Sequence, residues 1–281
     1  MMAYIGTEGY QINVELRNGS QHCQKNAPAF LKQTLDYARQ ITDAPLLVRL
    51  DSGNDSQDNY TICSEFQDVY FIVKRNLRKE SPAAWLTLAE NTDGTICVHS
   101  KHKTVWTGKT TVGLKGQALP YTIVFKVTKR YGHKGEVLLF PEIEVETYSC
   151  NLPKINPEEV IELYHDHGTS EQFHSEIKTD LGLERLPSGR FASNSLVLHL
   201  GLLAYNALRI IGQISLDVQE VSILPANRRK KVHRRRLRTI IQDYIYMAGR
   251  IVTTGGRWFL SFGQINPFAG FAEQILHFFI R

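Results

Sequence analysis

Two short, almost unbroken apolar runs constrain this chain more than any other feature: Pro45-Leu46-Leu47-Val48-Arg49-Leu50 and Val69-Tyr70-Phe71-Ile72-Val73. A strand with one wet face alternates polar and apolar residues, whereas a strand covered on both faces does not, and in α/β proteins helices provide the cover. Upstream, Met2 to Gly6 and Tyr10 to Leu16 read as a hairpin around Thr7-Glu8-Gly9, closed by the turn cluster Arg17-Asn18-Gly19-Ser20. Pro28 followed by Phe30, Leu31, Leu35, Ala38 and Ile41 gives an amphipathic helix with proline in its first turn. The order strand, strand, helix, buried strand, short helix, buried strand predicts an α/β (α+β) fold with a mixed-edge sheet.

From about Asn76 to Pro153 the texture changes to short β-prone pieces separated by Gly, Asn, Asp and Lys, without a helical period. This predicts a β-rich insertion with its own antiparallel sheet, docked on the core rather than completing it. Trp106, in Thr104-Val105-Trp106-Thr107-Gly108, either presents its ring to a nucleic-acid base or packs in the insertion's own core. Pro157-Glu158-Glu159 then opens a long helix with acids in its first turn; Ser195 to Ile214 is a second, almost wholly apolar helix, and Leu237 to Arg250 a third. The expected division is 1–75 for the first part of the core, 76–155 for the insertion and 156–281 for the rest.

Charge is informative once located. The run from Arg228 through Arg229, Lys230, Lys231, Arg234, Arg235 and Arg236 to Arg238 holds 8 of the 33 Lys+Arg and none of the 28 Asp+Glu, leaving 25 against 28 elsewhere. The whole excess of +5 is therefore local. Clustered cations gain by releasing counterions condensed on nucleic acid, so the run suits a polyanion; the alternative is a solvated loop or a targeting-like patch. The start lacks a secretory pattern, and the chain reads without a charge-free apolar stretch long enough for a membrane span, which argues for a cytoplasmic protein with no membrane partner. The four cysteines, Cys23, Cys63, Cys97 and Cys150, are too far apart for a CxxC zinc or redox motif and read as free thiols.

Two places collect acids beyond what a fold demands. Asp51 ends a buried strand, where ligands gather in α/β sheets, and Gly53 lets the chain turn while Asp55 can cap the next helix. Tyr164, His167, Glu171, His174 and Lys178 step by three and four, so they fall on one helical stripe. Such a stripe is either a solvated face or, if Glu171 faces the Asp51 strand, half of a carboxylate pair for a hard divalent cation. A metal hydrolase built on His165, His167 and Glu171 is disfavoured, because neighbours two apart point to different helix faces.

The spacing Tyr164-x-x-His167-x-x-x-Glu171-x-x-x-x-x-x-Lys178 resembles the Y-(2)-R-(3)-E-(6)-K signature of the DDE transposases of bacterial insertion sequences. Asp51-Ser52-Gly53 resembles their second-aspartate motif, and Arg238 to Asp243, Met247 to Arg250 and Arg257 to Gly263 resemble the carboxy-terminal part of the group-1 members. The resemblance implies an RNase H-like mixed-sheet core interrupted by a β-rich insertion, and two-metal phosphoryl transfer on duplex DNA at transposon ends. It implies Mg²⁺ or Mn²⁺ on Asp51 and Glu171, and DNA contacts from Tyr164, His167 and Lys178. The partner is double-stranded DNA, with a homodimer as one assembly the family allows and no small-molecule substrate.

Two departures accompany it. His167 stands where the motif has arginine and offers no permanently charged fork. The family's first aspartate lies on the opening core strand, and none of the acids upstream of Asp51, namely Glu8, Glu15, Asp36 and Asp43, occupies that place. The expectation is a copy truncated at its front, lacking the first core strand and inactive in cleavage; the alternative is a non-catalytic DNA-binding remnant that interferes with a full-length transposase.

Overall fold

The computed structural model describes residues 1–133, 136–166, 169–220, 234–262 and 268–280. It is a mixed α/β structure of two compact units, one formed by 1–17 with 169–281 and the other by 18–168.

Unit 18–168 holds a six-stranded mixed sheet in the order β3-β4-β8-β7-β6-β5. β3 (Leu46–Leu50) and β4 (Val69–Lys74) are parallel; β8 (Glu136–Cys150), β7 (Ala118–His133), β6 (Lys103–Val112) and β5 (Ile96–Ser100) continue the sheet antiparallel. β4 shows why its sequence is apolar throughout. Phe71 and Val73 face the cluster formed with α1 (Ala27–Ile41) and α2 (Gln57–Glu65), whereas Ile72 joins the opposite cluster with Val160 and Ile161 of α4 (Pro157–His165). β3 is at the sheet edge and only half-buried.

The β-rich stretch does not make a separate docked sheet, contrary to the sequence expectation. The end of β8 pairs with β4 from Tyr148 to Cys150, and Asn151 fixes that register by accepting from the Phe71 backbone N–H at 2.7 Å. One ladder therefore runs through core and insertion. The stretch also contains a helix that periodicity missed, α3 (Pro82–Asn91), begun by Ser81-Pro82 and seating Trp85, Leu86 and Ala89 on the sheet. The cap expected of Asp55 belongs to Ser56, which accepts from the Asn59 N–H, while Asp55 binds the Tyr60 hydroxyl and the Asn76 N–H.

In the other unit, β1 (Met2–Ile5) and β2 (Tyr10–Val14) form the expected hairpin, turned by Gly6 and Gly9 at φ of +75° and +76°. The hairpin packs on α6 (Phe191–Glu220), where Asn206 pairs with both backbone groups of Gln11 and the Tyr205 hydroxyl donates to Gly9 O at 2.9 Å. α6 corrects the reading that no stretch is long enough for a membrane span. By length and composition Phe191–Asp217 is long and apolar enough to cross one, although Tyr205 and Arg209 are wholly buried in the unit.

The helix expected from Leu237 to Arg250 is shorter. α7 (Leu237–Ile240) runs into a π-helical turn at Ile241–Ile245, and the chain then forms the hairpin of β9 (Gly249–Thr254) and β10 (Arg257–Phe262). Gly255 and Gly256, both at positive φ, make its two-residue turn, a Gly-Gly signal between β-branched and aromatic runs. α8 (Ala269–Ile280) packs on α6.

Candidate active site and nucleic-acid interface

Asp51 follows β3 and opens a single 3₁₀ turn at Ser52–Asn54, where the Asn54 amide donates to its Oδ1 at 2.8 Å. Gly53 sits close against its neighbours. A Cβ there would stand 3.3 Å from Asp51 Oδ1 and 3.6 Å from Cys23 Sγ, whose thiol donates to Gly53 O. The Asp51 carboxylate is exposed.

Tyr164, the last but one residue of α4, belongs to the same unit. Its ring packs on Tyr148 with centroids 4.8 Å apart, and its phenol is pushed up to about 12, first by burial and then by the negative charges of Asp51 and Glu146. Arg49 of β3 donates to Leu163 O at 2.9 Å and so ties the Asp51 strand to this helix. The structure thus brings Asp51 and Tyr164 together, as exposed carboxylate and neutral phenol.

Glu171, His174 and Lys178 belong to the other unit. The single long stripe expected from Tyr164 to Lys178 does not exist as one helix: α4 ends at His165, and α5 (Thr169–Ser175) is a separate element followed by a π-helical turn at Glu176–Asp180. His167 lies outside the described residues. Counting by three and four assumes an unbroken helix, and this assumption fails before Glu171 is reached. Within α5 and the π turn the stripe does hold. Glu171, His174, Ser175, Lys178, Thr179 and Glu184 line one open groove of about 500 Å³.

Next in the chain to the groove-lining Ser175, Glu176 belongs to a buried ionic cluster that the sequence reading passed over. Glu176 and Arg209 pair with side chains only 2% and 1% exposed, and Arg234 donates to the same Glu176 oxygen at 3.0 Å. Arg234 also donates to Gln172 Oε1 and lies 4.6 Å over the Phe173 ring; burial lowers its pKa against the opposing pull of Glu176. The signal was available, since Arg209 is the lone Lys, Arg, Asp or Glu between Phe191 and Leu216, and a cation inside an apolar helix needs a buried anion.

The basic run is accordingly engaged at its described end. Arg235 pairs with Asp243 at 3.2 Å, and Arg236 and Arg238 both pair with Asp180. Burial alone would raise the Asp180 pKa, but the Arg236 guanidinium and the Arg238 backbone N–H outweigh it and hold the carboxyl below its ordinary range. Arg228, Arg229, Lys230 and Lys231 lie outside the described residues. Of the two places expected for Trp106, the structure shows the packed one: at 9% exposure it clusters with Trp85 of α3 and Phe125, and its ring is not available for stacking.

Among the described residues, no group of three or more His, Cys, Asp or Glu is gathered to hold a metal ion. Asp51 and Glu171 are both exposed hard-oxygen donors, the type that fits Mg²⁺ or Mn²⁺.

No curated protein matches the chain. Residues 1–278 match the transposase DDE domain, group 1, whose members generally use divalent metals and whose RNase H-like core agrees with the mixed sheet and its helices. Covered almost from end to end, the chain belongs to the family of group-1 DDE transposase domains.

Proposed function

We propose that the chain acts on duplex DNA at the ends of an insertion sequence, with Asp51 and Glu171 as carboxylates for Mg²⁺ or Mn²⁺ and Lys178, Tyr164 and the basic run as contacts to the DNA backbone. The observation that carries this is the groove in which Glu171 and Lys178 lie together, a carboxylate suited to a cation beside an ammonium suited to a phosphate. A divalent ion bound there would supply charge stabilisation at the scissile phosphate. The protein's part is positioning, which is most of what phosphoryl transfer asks of an enzyme.

These 281 residues by themselves bind DNA without cutting it. The acids upstream of Asp51 support this reading. Glu8 sits in the hairpin turn, Glu15 just past β2, Asp36 pairs with Lys32 on α1, and Asp43 follows α1. None lies on the six-stranded sheet whose edge strand β3 leads into Asp51. The chain remains a DNA-binding member that can occupy element ends in the cytoplasm, and no small-molecule substrate enters this reading.

The test compares wild type, Asp51→Asn and Glu171→Gln for duplex binding and nicking with and without Mn²⁺. The expected result is Mn²⁺-strengthened binding that each substitution abolishes, with nicking at background. Nicking lost in Glu171→Gln would overturn the non-cleaving reading; an unchanged Mn²⁺ response in both variants would overturn the carboxylate assignment.

A further inference from the structure

The outer edge of the six-stranded sheet is β5, and all five of its residues, Ile96-Cys97-Val98-His99-Ser100, are exposed. Proteins usually guard such an edge with a lysine, a proline or a bulge. β5 has none of these: it carries no charge and no proline, its register with β6 is regular, and Ile96 and Val98 stand 44% and 56% exposed.

Cys97 and His99, two apart on this strand, share a face, and Cys97 Sγ lies 3.5 Å from His99 Nε2. On the other side of the ring, Nδ1 is 3.1 Å from Thr104 Oγ1 of β6. A tetrahedral Zn²⁺, with bonds of about 2.3 Å to sulfur and about 2.0–2.1 Å to nitrogen, holds two such ligands about 3.5 Å apart. The pair therefore already has the spacing of two ligands of one ion. With Nε2 on the metal, the ring hydrogen sits on Nδ1 and donates to the Thr104 hydroxyl, the outer contact that orients a ligating imidazole. Thiolate and imidazole select zinc over the Mg²⁺ or Mn²⁺ that suits carboxylates.

Two ligands do not close a structural zinc site, which takes four. A second copy of the strand supplies the rest. Antiparallel pairing of β5 with itself over its full length, Ile96 opposite Ser100, is centred on Val98 and sets Cys97 of each copy opposite His99 of the other. Opposite residues share a face with Cβ atoms about 4.5–5.5 Å apart, so two thiols and two imidazoles collect in one patch. The flanks agree in charge: exposed Asp93 precedes the strand and exposed Lys101 follows it, and antiparallel pairing brings the acidic end of one copy towards the basic end of the other.

We propose that β5 is a contact between two copies of this chain, bridged by one Zn²⁺ on Cys97 and His99 of each. Each thiol gives its proton to solvent as its sulfur binds. The proposal does not depend on the DNA reading.

The experiment titrates Co²⁺, a spectroscopic stand-in for Zn²⁺, into the full chain in a buffer with a phosphine reductant. It follows the thiolate-to-cobalt charge-transfer band together with the mass in solution by sedimentation. The expected result is a band that saturates at one Co²⁺ per two chains and a twofold rise in mass with it, both lost on adding EDTA. Cobalt on carboxylates gives no such band. Cys97→Ser should abolish the band and the rise in mass, and His99→Ala the rise in mass, whereas Cys23→Ser, which removes the other exposed thiol, should change neither. Val98→Lys keeps both ligands but sets like charges opposite each other at the centre of the pairing, and should abolish the rise in mass with unchanged thermal melting.

A band that saturates at one Co²⁺ per chain without a change in mass would overturn the shared site. A twofold rise in mass that survives Cys97→Ser would overturn the zinc bridge, and a wild-type chain without the band would overturn the metal site itself.

Discussion

Arg234 donates to the buried carboxylate of Glu176 at 3.0 Å, two residues before Lys178 on the chain segment that lines the groove. The described end of the basic run is therefore fastened to the groove's own scaffold, and Arg209 completes the pair from α6 with one guanidinium edge on Glu176 and the other on Arg235 O at 2.6 Å.

The first prediction concerns what that pair holds together. Replacing one partner of a buried ion pair leaves the other charge uncompensated, which costs about 3–5 kcal/mol. Glu176→Gln should lower the unfolding free energy of the chain by that amount in urea denaturation. Glu176→Met with Arg209→Leu should recover part of it, because the wholly buried Arg209 charge goes with its partner and only Arg234, at 14% exposure, loses its carboxylate. A double variant less stable than Glu176→Gln would show that the cluster is not the source of the loss.

The second prediction divides the arginines by their state. Arg234 and Arg235 have side chains only 14% and 11% exposed, whereas Arg236 and Arg238 are 52% and 62% exposed beside one shared acid. Each phosphate contact adds about 0.9 to the slope of log K against log salt. Arg236→Ala with Arg238→Ala should flatten that slope by about 1.8 if each reaches one phosphate. Arg234→Ala with Arg235→Ala should leave the slope unchanged while lowering stability. The reverse pattern would place DNA contact on the buried pair.

The same contrast shows what was legible in the sequence. β4 was readable because burial on both faces writes an unbroken apolar run, β3 because it carries a similar run although it is a half-buried edge strand, and the first hairpin because Gly6 and Gly9 bracket its turn. α3 was missed because its ten residues, beginning at Pro82, sit among β-prone neighbours, and the sheet that they pack on supplies most of their stability. The join of β8 to β4 is a pairing of Tyr148 to Cys150 with Lys74 to Ile72, followed by Asn151 on the backbone of Phe71 80 residues away, and no local pattern encodes it. Glu171 and Lys178 were found by spacing and do share a groove, but Tyr164 falls in the other unit, since periodicity cannot see that α4 stops at His165.

The third prediction is the pH dependence of the Asp180 anchor. Its folded pKa is depressed, so its stabilising contribution is present above the unfolded value of about 3.9 and is lost as pH falls through the folded value. Asp180→Asn should therefore destabilise the chain at neutral pH, and the gap to wild type should close as pH drops below about 4. A gap that persists undiminished at the lowest pH would mean that the variant acts through packing instead.

The last prediction concerns Glu184, which shares the groove with Lys178 and whose backbone N–H bonds to Lys178 O at 3.2 Å. If a phosphate enters the groove, this exposed carboxylate repels it, by an amount that solvent limits to at most about 1 kcal/mol, or roughly fivefold in affinity. Glu184→Gln should then bind duplex DNA up to about fivefold more tightly at low salt. The gain should shrink as ionic strength rises, because the screening length contracts from about 30 Å at 0.01 M to about 8 Å at 0.15 M. The sign separates two roles for the acid. Were Glu184 instead to serve with Glu171 in holding a divalent cation, removing its charge would weaken Mn²⁺-dependent binding, and a loss of affinity confined to Mn²⁺-containing buffer would replace the repulsion account with a ligand account.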